Sequence, residues 1–453
     1  MIHLNYPSLV SFNYTLFKAL GIDSEASSNT LTLYKQAWRD LDAHIKNKLQ
    51  PIEVLDYLSE KNIQFQGKLA DKTIDGSYNY TFLSDTIACL FNQSANHQDS
   101  TQLIDVITEL KNLVPSVVTE LPYPHQNLGQ TWMISGWVDT ADITKLEELA
   151  TKFYQELLNQ EWQRKKIGKF IDATVFELWR NSPIWDKPED NSHVLILFYP
   201  NQQTMDAAAD FYEDWLKCLW YRHKIWFAYS LSRQLKEQLE KDFNRVVPDL
   251  ENRHQYNLDQ LKLTLAKTLE PLSRYGTNLN LLGIQQQTLL TNSHYYKNDL
   301  NDIEAKANTL KNGKTDLTFL KEFSRRVEDY YQPQLEHELA SFSPGLGALQ
   351  GLTDTVRGIV EIEQAQRDRN FQNNIAIVGV GLGTASILAS VPDLEMITEL
   401  PPVNAYITHW QLNKSQANFV VSLNISIFAG VWVAIFTAIV IKIGERLRSK
   451  KAS

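Results

Sequence analysis

The chain has 453 residues, which is too many for one compact core and indicates two to four structural units. With 43% hydrophobic and 21% charged residues and only 18 glycines, it is a folded chain, neither collagen-like nor of low complexity. The net charge of −9 argues against a phosphate-binding surface over the whole chain, so we expect no nucleic-acid partner. Two cysteines, Cys89 and Cys218, exclude a disulfide scaffold.

Residues 1–202 mix predicted strands with helices. Runs rich in β-branched and aromatic residues predict strands at 78–82, 131–138, 174–178 and 194–199. The run at 194–199 is apolar on both faces, as in a central strand. The apolar spacing over 142–166 predicts a helix. Residues 1–202 are therefore expected to form an α+β cytoplasmic domain.

From residue 203 the periodicity is helical, and a bundle of long helices is expected over 203–342. The predicted helices are 205–247, 258–290, 296–310 and 316–339. The dense aromatic residues of the first helix indicate a packing stripe, with a ligand-binding box as the alternative. Three glycines predict a break at 343–351.

A stalk helix is expected within 343–374. Its apolar positions keep the near-heptad spacing of a coiled coil. A polar run follows at 363–369. It fits a solvated stalk face, with a lumen-lining or metal-sensing face as the alternative.

Two uncharged segments near the C-terminus predict a transmembrane hairpin over 375–443. Residues 419–441 would form a helix about 34 Å long, enough to cross a bilayer, and 375–391 one of about 25 Å, at the short limit. Gly379 and Gly383 form a small-xxx-small pair suited to close helix packing. A dinucleotide-binding turn is the competing interpretation of these glycines, but Thr384 stands where its third glycine belongs.

Charge on either side of these segments predicts their orientation. The tail, 444–453, is basic, whereas the charged residues of the loop between the segments, 392–418, are mostly acidic. The first residues have neither the basic nor the apolar region of a signal peptide. We therefore expect a multi-pass protein of the plasma (inner) membrane, in contact with lipid and with both termini cytoplasmic.

No catalytic constellation stands out. Gly313-Lys314-Thr315 is half of a P-loop signature, but Asn308 occupies the position of the first glycine. His337-Glu338 begins a zinc-binding pattern whose second histidine is replaced by Ser341. We therefore expect no enzyme and no cofactor, with a divalent cation as the alternative in a transported or regulatory role.

The order of these parts resembles the CorA-type divalent-cation channel superfamily. The resemblance is one of layout, covers most of the chain and is strongest from 352 to 451. It implies a homo-oligomer, a pentamer in that family, whose first span lines a pore and whose outer loop begins with Gly-Met-Asn, which recruits hydrated magnesium. Gly-Met-Asn does not occur in this chain, so no family site residue is carried over.

The residues of the hairpin also suggest conduction. One face of the first span would carry small, polar and apolar pore-lining residues, namely Asn374, Gly381, Thr384 and Leu388. The loop acids would form a cation-attracting collar, namely Asp393, Glu395 and Glu399. Helix packing and the topology rule are the alternative explanations of the same residues.

Two main functions follow from this layout. The first is a CorA-like integral membrane protein that acts as an oligomeric divalent-cation channel or transporter. The second is a non-conducting, membrane-anchored sensor or scaffold with a large cytoplasmic helical domain. A membrane-attached enzyme is a third interpretation.

Overall fold

The computed structural model describes residues 4–17, 36, 43–45, 47–49, 52–59, 62–69, 72–96, 103–114, 127–180, 192–251, 256–310 and 313–364. The strands are β1 Leu4–Leu16, β2 Ile52–Ser59, β3 Asn62–Leu69, β4 Lys72–Leu83, β5 Thr86–Asn96, β6 Asn127–Val138, β7 Arg164–Phe170, β8 Ala173–Arg180 and β9 Ser192–Tyr199. The helices are α1 Leu103–Leu113, α2 Ile143–Leu158, α3 Gln202–Ala208, α4 Tyr212–Glu251, α5 Leu258–Thr309, α6 Thr318–Arg326 and α7 Gln332–Gln364. A 3₁₀ turn, Ala209–Phe211, follows α3, and a π-helical segment, Val327–Tyr331, joins α6 to α7.

The described strands form one mixed sheet in the order β2-β3-β4-β5-β1-β6-β9-β8-β7. Neighbouring strands run antiparallel except for β6 and β9, which are parallel. A parallel pair needs a long crossover, and the chain between β6 and β9 supplies α2 and the β7–β8 hairpin. Strand β9 therefore lies inside the sheet, between β6 and β8.

Helices cover both faces of the sheet because its central strands are apolar on both. Along β9, Val194, Ile196 and Phe198 pack in one core cluster with α1 and α2. The alternate side chains, such as Leu195 and Leu197, pack in the other cluster with α4, α5 and α6. Side chains two apart share a face of a strand, so this alternation gives β9 its buried position.

The chain divides into two compact units. The first consists of residues 1–236 and 282–338 and contains the sheet. The second consists of residues 237–281 and 339–453, of which the structure describes segments of α4, α5 and α7. In the second unit Phe243 packs 6.3 Å from Tyr275, whose hydroxyl donates to the backbone oxygen of Phe342 at 2.9 Å.

The hairpin between β7 and β8 is fixed by a segment far away in the sequence. Ile171 and Asp172 form its turn with φ angles of 48° and 60°, a left-handed conformation that costs energy in a β-branched residue. The Lys314 amide donates to the Asp172 carboxylate at 2.7 Å, and the Ile171 amide donates to the Thr315 hydroxyl at 2.9 Å. Gly313 approaches the same turn with a φ of 111°. These contacts hold the edge hairpin in place.

The predicted fold class, an α+β domain and long helices that end in a transmembrane hairpin, is wrong. The described chain is a nine-stranded mixed sheet with helices on both faces. None of its described helices combines the length and the apolar character needed to cross a membrane. Helices α4 and α5, with 40 and 52 residues, are long enough to span a bilayer. They are not apolar enough, because both carry many charged side chains.

The predicted localisation, a multi-pass protein of the plasma membrane with cytoplasmic termini, is contradicted by the same finding about the described helices. It depended on the uncharged segments 375–391 and 419–441, which lie outside the described residues. The expected domain boundaries after 202, 342 and 374 stay predictions.

The predicted elements are confirmed in some segments and corrected in others. The strands expected at 78–82, 131–138, 174–178 and 194–199 lie within β4, β6, β8 and β9. The helix expected over 142–166 is wrong in its last part, since α2 ends at Leu158 and β7 begins at Arg164. The breaks expected after 290 and at 343–351 are also wrong, because α5 and α7 continue through them.

Candidate ligand-binding cavity

A chain of buried polar side chains connects the middle of the sheet to α4. The Thr131 hydroxyl lies 2.9 Å from Nδ1 of His193 and 2.8 Å from Nε2 of His223. Nε2 of His193 lies 3.1 Å from Oε1 of Glu177. Strands β6, β8 and β9 and helix α4 each contribute to this chain, so the sheet order and the helix above it create it together.

Both histidines of this chain are held neutral. Burial lowers the pKa of His193 to about 4, with the nearby Arg222 acting in the same direction. Burial also lowers the pKa of His223 well below its usual value, against the opposing backbone carbonyl of Leu128. A protonated imidazole would lose most of its hydration in such a place.

The direction of the hydrogen bonds follows from the carboxylate at one end. Burial alone would raise the pKa of Glu177, but Arg222 and His193 outweigh it, and the pKa is lowered. An ionised carboxylate only accepts hydrogen bonds, so His193 donates from Nε2 and accepts the Thr131 proton at Nδ1. These hydrogen bonds hold Oε1 of Glu177 in place.

Arg222 completes this buried group. Its Nη2 lies 3.2 Å from Oε1 of Glu177, and both side chains are almost wholly buried. Its guanidinium carbon lies 4.3 Å from the centre of the Phe323 ring. An ion pair buried this deeply is costly to desolvate, which raises the question of what else its charges serve.

Glu177 and Arg222 both line a cavity of about 690 Å³ in the first unit. Its wall is formed by β7, β8, α4, α6 and the π-helical segment. The cavity has six cationic residues, Arg164, Lys165, Lys166, Arg222, Arg325 and Arg326. Its acidic residues are Glu177, Glu322 and Asp329, and its aromatic ones are Trp179, Trp226, Phe323 and Tyr331. We call it the basic cavity, since its cationic side chains outnumber its acidic ones two to one.

Half of the cations in the basic cavity have an acidic partner. Lys166 lies 2.8 Å from Glu322, Lys165 pairs with Glu147, and Arg222 pairs with Glu177.

The other three cations are arginines that make no ion pair with any described residue, namely Arg164, Arg325 and Arg326. All three are exposed. Guanidinium groups that lack an acidic partner and lie together in a concave site are suited to bind an anion.

Aromatic side chains form the apolar part of the wall. Trp226 stacks on Phe323 with ring centres 6.1 Å apart, and its ring centre lies 5.7 Å from that of Tyr331. Trp179 is half-buried beneath the ammonium group of Lys166, which lies 5.5 Å from its ring centre. Aromatic side chains are common in the walls of small-molecule sites, and here they stand beside nine charged side chains.

The π-helical segment belongs to the wall of the cavity. A π turn holds one residue more than an α turn, so it changes the direction in which the following side chains project. Arg325 and Arg326 directly precede the segment, and Asp329 and Tyr331 lie within it. Such segments are common at functional sites.

The residues predicted as sites lie outside the described residues. This holds for the pore-lining candidates Asn374, Gly381, Thr384 and Leu388. It holds also for the loop acids Asp393, Glu395 and Glu399, and for the packing pair Gly379 and Gly383. The pore and its homo-oligomer therefore stay predictions, as do the resemblance to the CorA superfamily, the absence of a nucleic-acid partner and the expectation that the chain is not an enzyme.

Sequence reasoning missed the basic cavity, although a signal was present. Arg164-Lys165-Lys166 and Arg325-Arg326 are short basic runs in an acidic chain. The first run was assigned to a helix, and the second is 159 positions further along, so nothing in the sequence pairs them. Arg222 lies among the aromatic residues of α4, for which a ligand-binding box was the alternative interpretation.

Comparison of the chain with protein-family models, with curated proteins and with solved structures found no match.

Proposed function

We propose that the first unit is a binding module for a small anionic molecule that carries a planar ring, held in the basic cavity. The observation that carries this proposal is the set of exposed arginines that have no acidic partner among the described residues, beside aromatic side chains in one concave site. Guanidinium groups bind carboxylates and phosphates through paired N–H donors, and aromatic faces stack on planar rings. Neither feature alone would define a ligand, but together they favour one that is anionic at one end and flat at the other.

This proposal matches the sensing part of the second function expected from the sequence. A ligand of this class would bind to residues from β7, β8, α4, α6 and the π-helical segment at once. Binding would therefore tie the edge hairpin of the sheet to the helices, and this change reports that the ligand is present.

The test is isothermal titration of the full chain with pyrophosphate and with tripolyphosphate, anions that need no ring to bind. Arg325→Ala combined with Arg326→Ala should weaken both by at least about tenfold, because hydrogen bonds to charged groups contribute about 1.5–3 kcal/mol each. Arg357→Ala is the control, since that arginine pairs with Glu361 and does not line the cavity. No binding of either anion at millimolar concentration, or equal losses in control and test variants, would contradict the proposal.

A further inference from the structure

Strand β7 ends the described sheet, and its outer side is only partly paired. The strand order finishes with β9-β8-β7, so β7 has a neighbouring strand, β8, on one side alone within the described sheet. On the outer side the N–H of Lys169 donates to the backbone oxygen of Asp316 at 3.2 Å, and the oxygen of Lys169 accepts from the N–H of Asp316 at 2.9 Å. This antiparallel contact ends there, because α6 begins at Thr318.

The contact with Asp316 shows which backbone groups of β7 point outward. The N–H and C=O of one strand residue point to the same side, and successive residues alternate between the two sides. Since Lys169 points outward, the backbone groups of Lys165 and Ile167 do so as well. Neither makes a backbone hydrogen bond on that side with a described residue. An extended chain that lies antiparallel to β7, as Asp316 does, could pair with both residues.

One face of β7 is cationic. Alternate side chains share a face of a strand, so Arg164 and Lys166 lie on the same one. Both line the basic cavity, as do Arg325 and Arg326 at the end of α6. Lys166 pairs with Glu322, whereas the three arginines make no ion pair with a described residue. Acidic side chains on this face of an added strand would therefore be stabilising.

The opposite face of β7 offers an apolar contact. Ile167 is 40% exposed on this face. The lysines on either side of it each have an acidic neighbour, since Lys165 pairs with Glu147 and Lys169 lies opposite Asp316. A β-branched side chain of an added strand, placed opposite Ile167, would cover it.

We infer that the outer side of β7 binds an extended segment of a partner protein, antiparallel to β7, in which acidic residues alternate with β-branched ones. The acids lie beside Arg164, and the β-branched side chains lie beside Ile167. A second copy of β7 does not suit this edge, because β7 carries four cations and no acid, and like charges on paired strands are destabilising. The inference goes beyond the proposed function, since it concerns the backbone edge of β7 and not a small molecule in the basic cavity.

The first experiment measures peptide binding to the unaltered full chain by fluorescence anisotropy. The probe is a labelled, amidated peptide, Glu-Thr-Glu-Val-Glu-Thr-Glu, and it should bind below about 1 mM. Its counterpart Lys-Thr-Lys-Val-Lys-Thr-Lys should bind at least about tenfold more weakly, because it places cations beside Arg164. Absence of binding by the acidic peptide below about 1 mM, or equal binding of the two, would overturn the inference.

Backbone methylation separates strand pairing from simple attraction between charges. In the antiparallel arrangement the N–H groups of the valine and threonines point toward β7, and those of the glutamates point away. N-methylation of the valine and threonines should weaken binding by about tenfold or more, and N-methylation of the two middle glutamates by less than about threefold. Equal effects at the two sets of positions would mean that the carboxylates bind without strand pairing, which contradicts the inference.

The second experiment removes the outward donor from the chain itself. Ile167→Pro loses the N–H at this position, and proline is compatible with an edge strand where that N–H faces solvent. Peptide affinity should fall by about tenfold or more, whereas the control Ile167→Thr, which keeps the N–H, should lose less than about threefold. Equal losses in the two variants would contradict the inference.

Pyrophosphate keeps this inference apart from the proposed function. Its affinity should stay within about twofold in Ile167→Pro and Ile167→Thr, because neither change removes a cation of the basic cavity. Circular dichroism shows whether both variants fold, and if Ile167→Pro does not, the methylated peptides decide. Failure of pyrophosphate to bind the unaltered chain would contradict the proposed function and leave the pairing of the acidic peptide with β7 standing.

Discussion

At the scale of single residues, the buried histidines couple stability to pH. The ring of His193 is enclosed by Glu177 on β8, Arg222 and His223 on α4, and Thr131 on β6. Its pKa is lowered to about 4, so between about pH 6.5 and pH 4 the unfolded chain binds a proton there that the folded chain does not. Stability therefore falls as the pH is lowered through this range.

The expected size of this effect can be measured by urea denaturation at pH 7, 5.5 and 4. A His193 pKa lowered from 6.5 to about 4 corresponds to about 3 kcal/mol of unfolding free energy, and His223 adds to this in the same direction. In His193→Gln the number of protons that the chain takes up on unfolding in this pH range should be lower by about one. His294→Gln, at an exposed position, is the matched control. A pH profile of His193→Gln that is parallel to that of the unaltered chain would contradict the assignment of a neutral ring.

Single residues also show why the cavity could not be found from the sequence. Arg222 lies among the aromatic residues of α4, which predict a packed stretch of helix but do not show that this basic residue is buried with them. Its environment is created by Glu177 and Phe323, which lie 45 residues before it and 101 residues after it. Contacts at such separations depend on the order of the strands, which local pattern does not determine.

At the scale of secondary-structure elements, the edge hairpin β7–β8 carries two lining strands of the basic cavity and depends on the segment 313–316. Gly313 has a φ of 111°, and a Cβ placed there would lie 2.7 Å from the backbone carbonyl carbon of Ile171. An alanine at this position therefore faces both an unfavourable backbone conformation and a steric clash.

Gly313→Ala is expected to lower the unfolding free energy by about 1–3 kcal/mol. Gly347→Ala gives the opposite sign, because Gly347 lies inside α7 with open space around its Cβ position. An alanine there should raise stability by about 0.5–1 kcal/mol through helix propensity. Thermal unfolding followed by circular dichroism measures both. If the two variants shift stability in the same direction, Gly313 is not constrained as described.

The elements that could be predicted are those in which the pattern of apolar and polar side chains matches the pattern of burial. Strand β9 is apolar on both faces and is buried on both, so its central position could be predicted from six residues. Strand β1 was not found, because buried Ser8, Ser11 and Asn13 interrupt its apolar pattern. Strand β7 was assigned to a helix, because the basic run at 164–166 has no apolar alternation.

At the scale of the whole molecule, the function expected from the sequence and the function proposed from the structure rest on different parts of the chain. Uncharged segments dominate a hydropathy argument, and the expected function was therefore drawn from 375–391 and 419–441. The basic cavity instead collects short segments from five elements of the first unit, none of which is distinctive by itself. A hydropathy pattern can be recognised within one segment of the sequence. A binding site formed by segments that a nine-stranded sheet brings together cannot be recognised in this way.

The division into two units predicts that they respond separately to mutation. In the second unit the carboxylate of Asp242 is 1% exposed, accepts from Gln238 at 3.0 Å and pairs with Arg274. Arg274→Ala leaves this buried charge with one neutral donor. Because Arg274 is itself partly exposed, the expected loss is about 2–3 kcal/mol, at or below the lower end for a broken buried ion pair.

Hydrogen exchange followed by mass spectrometry shows which segments lose stability in Arg274→Ala. Exchange in Arg274→Ala should accelerate in 237–251, 256–281 and 339–364, while β6, β8 and β9 keep their protection. Pyrophosphate affinity should stay within about twofold, since sites that share no partners are usually independent. Arg357→Ala is the control, because its pair with Glu361 is an exposed contact in the same unit and contributes little. Faster exchange in β9, or a matching loss of pyrophosphate affinity, would mean that the cavity depends on the second unit. The binding module would then have to include both units of the chain.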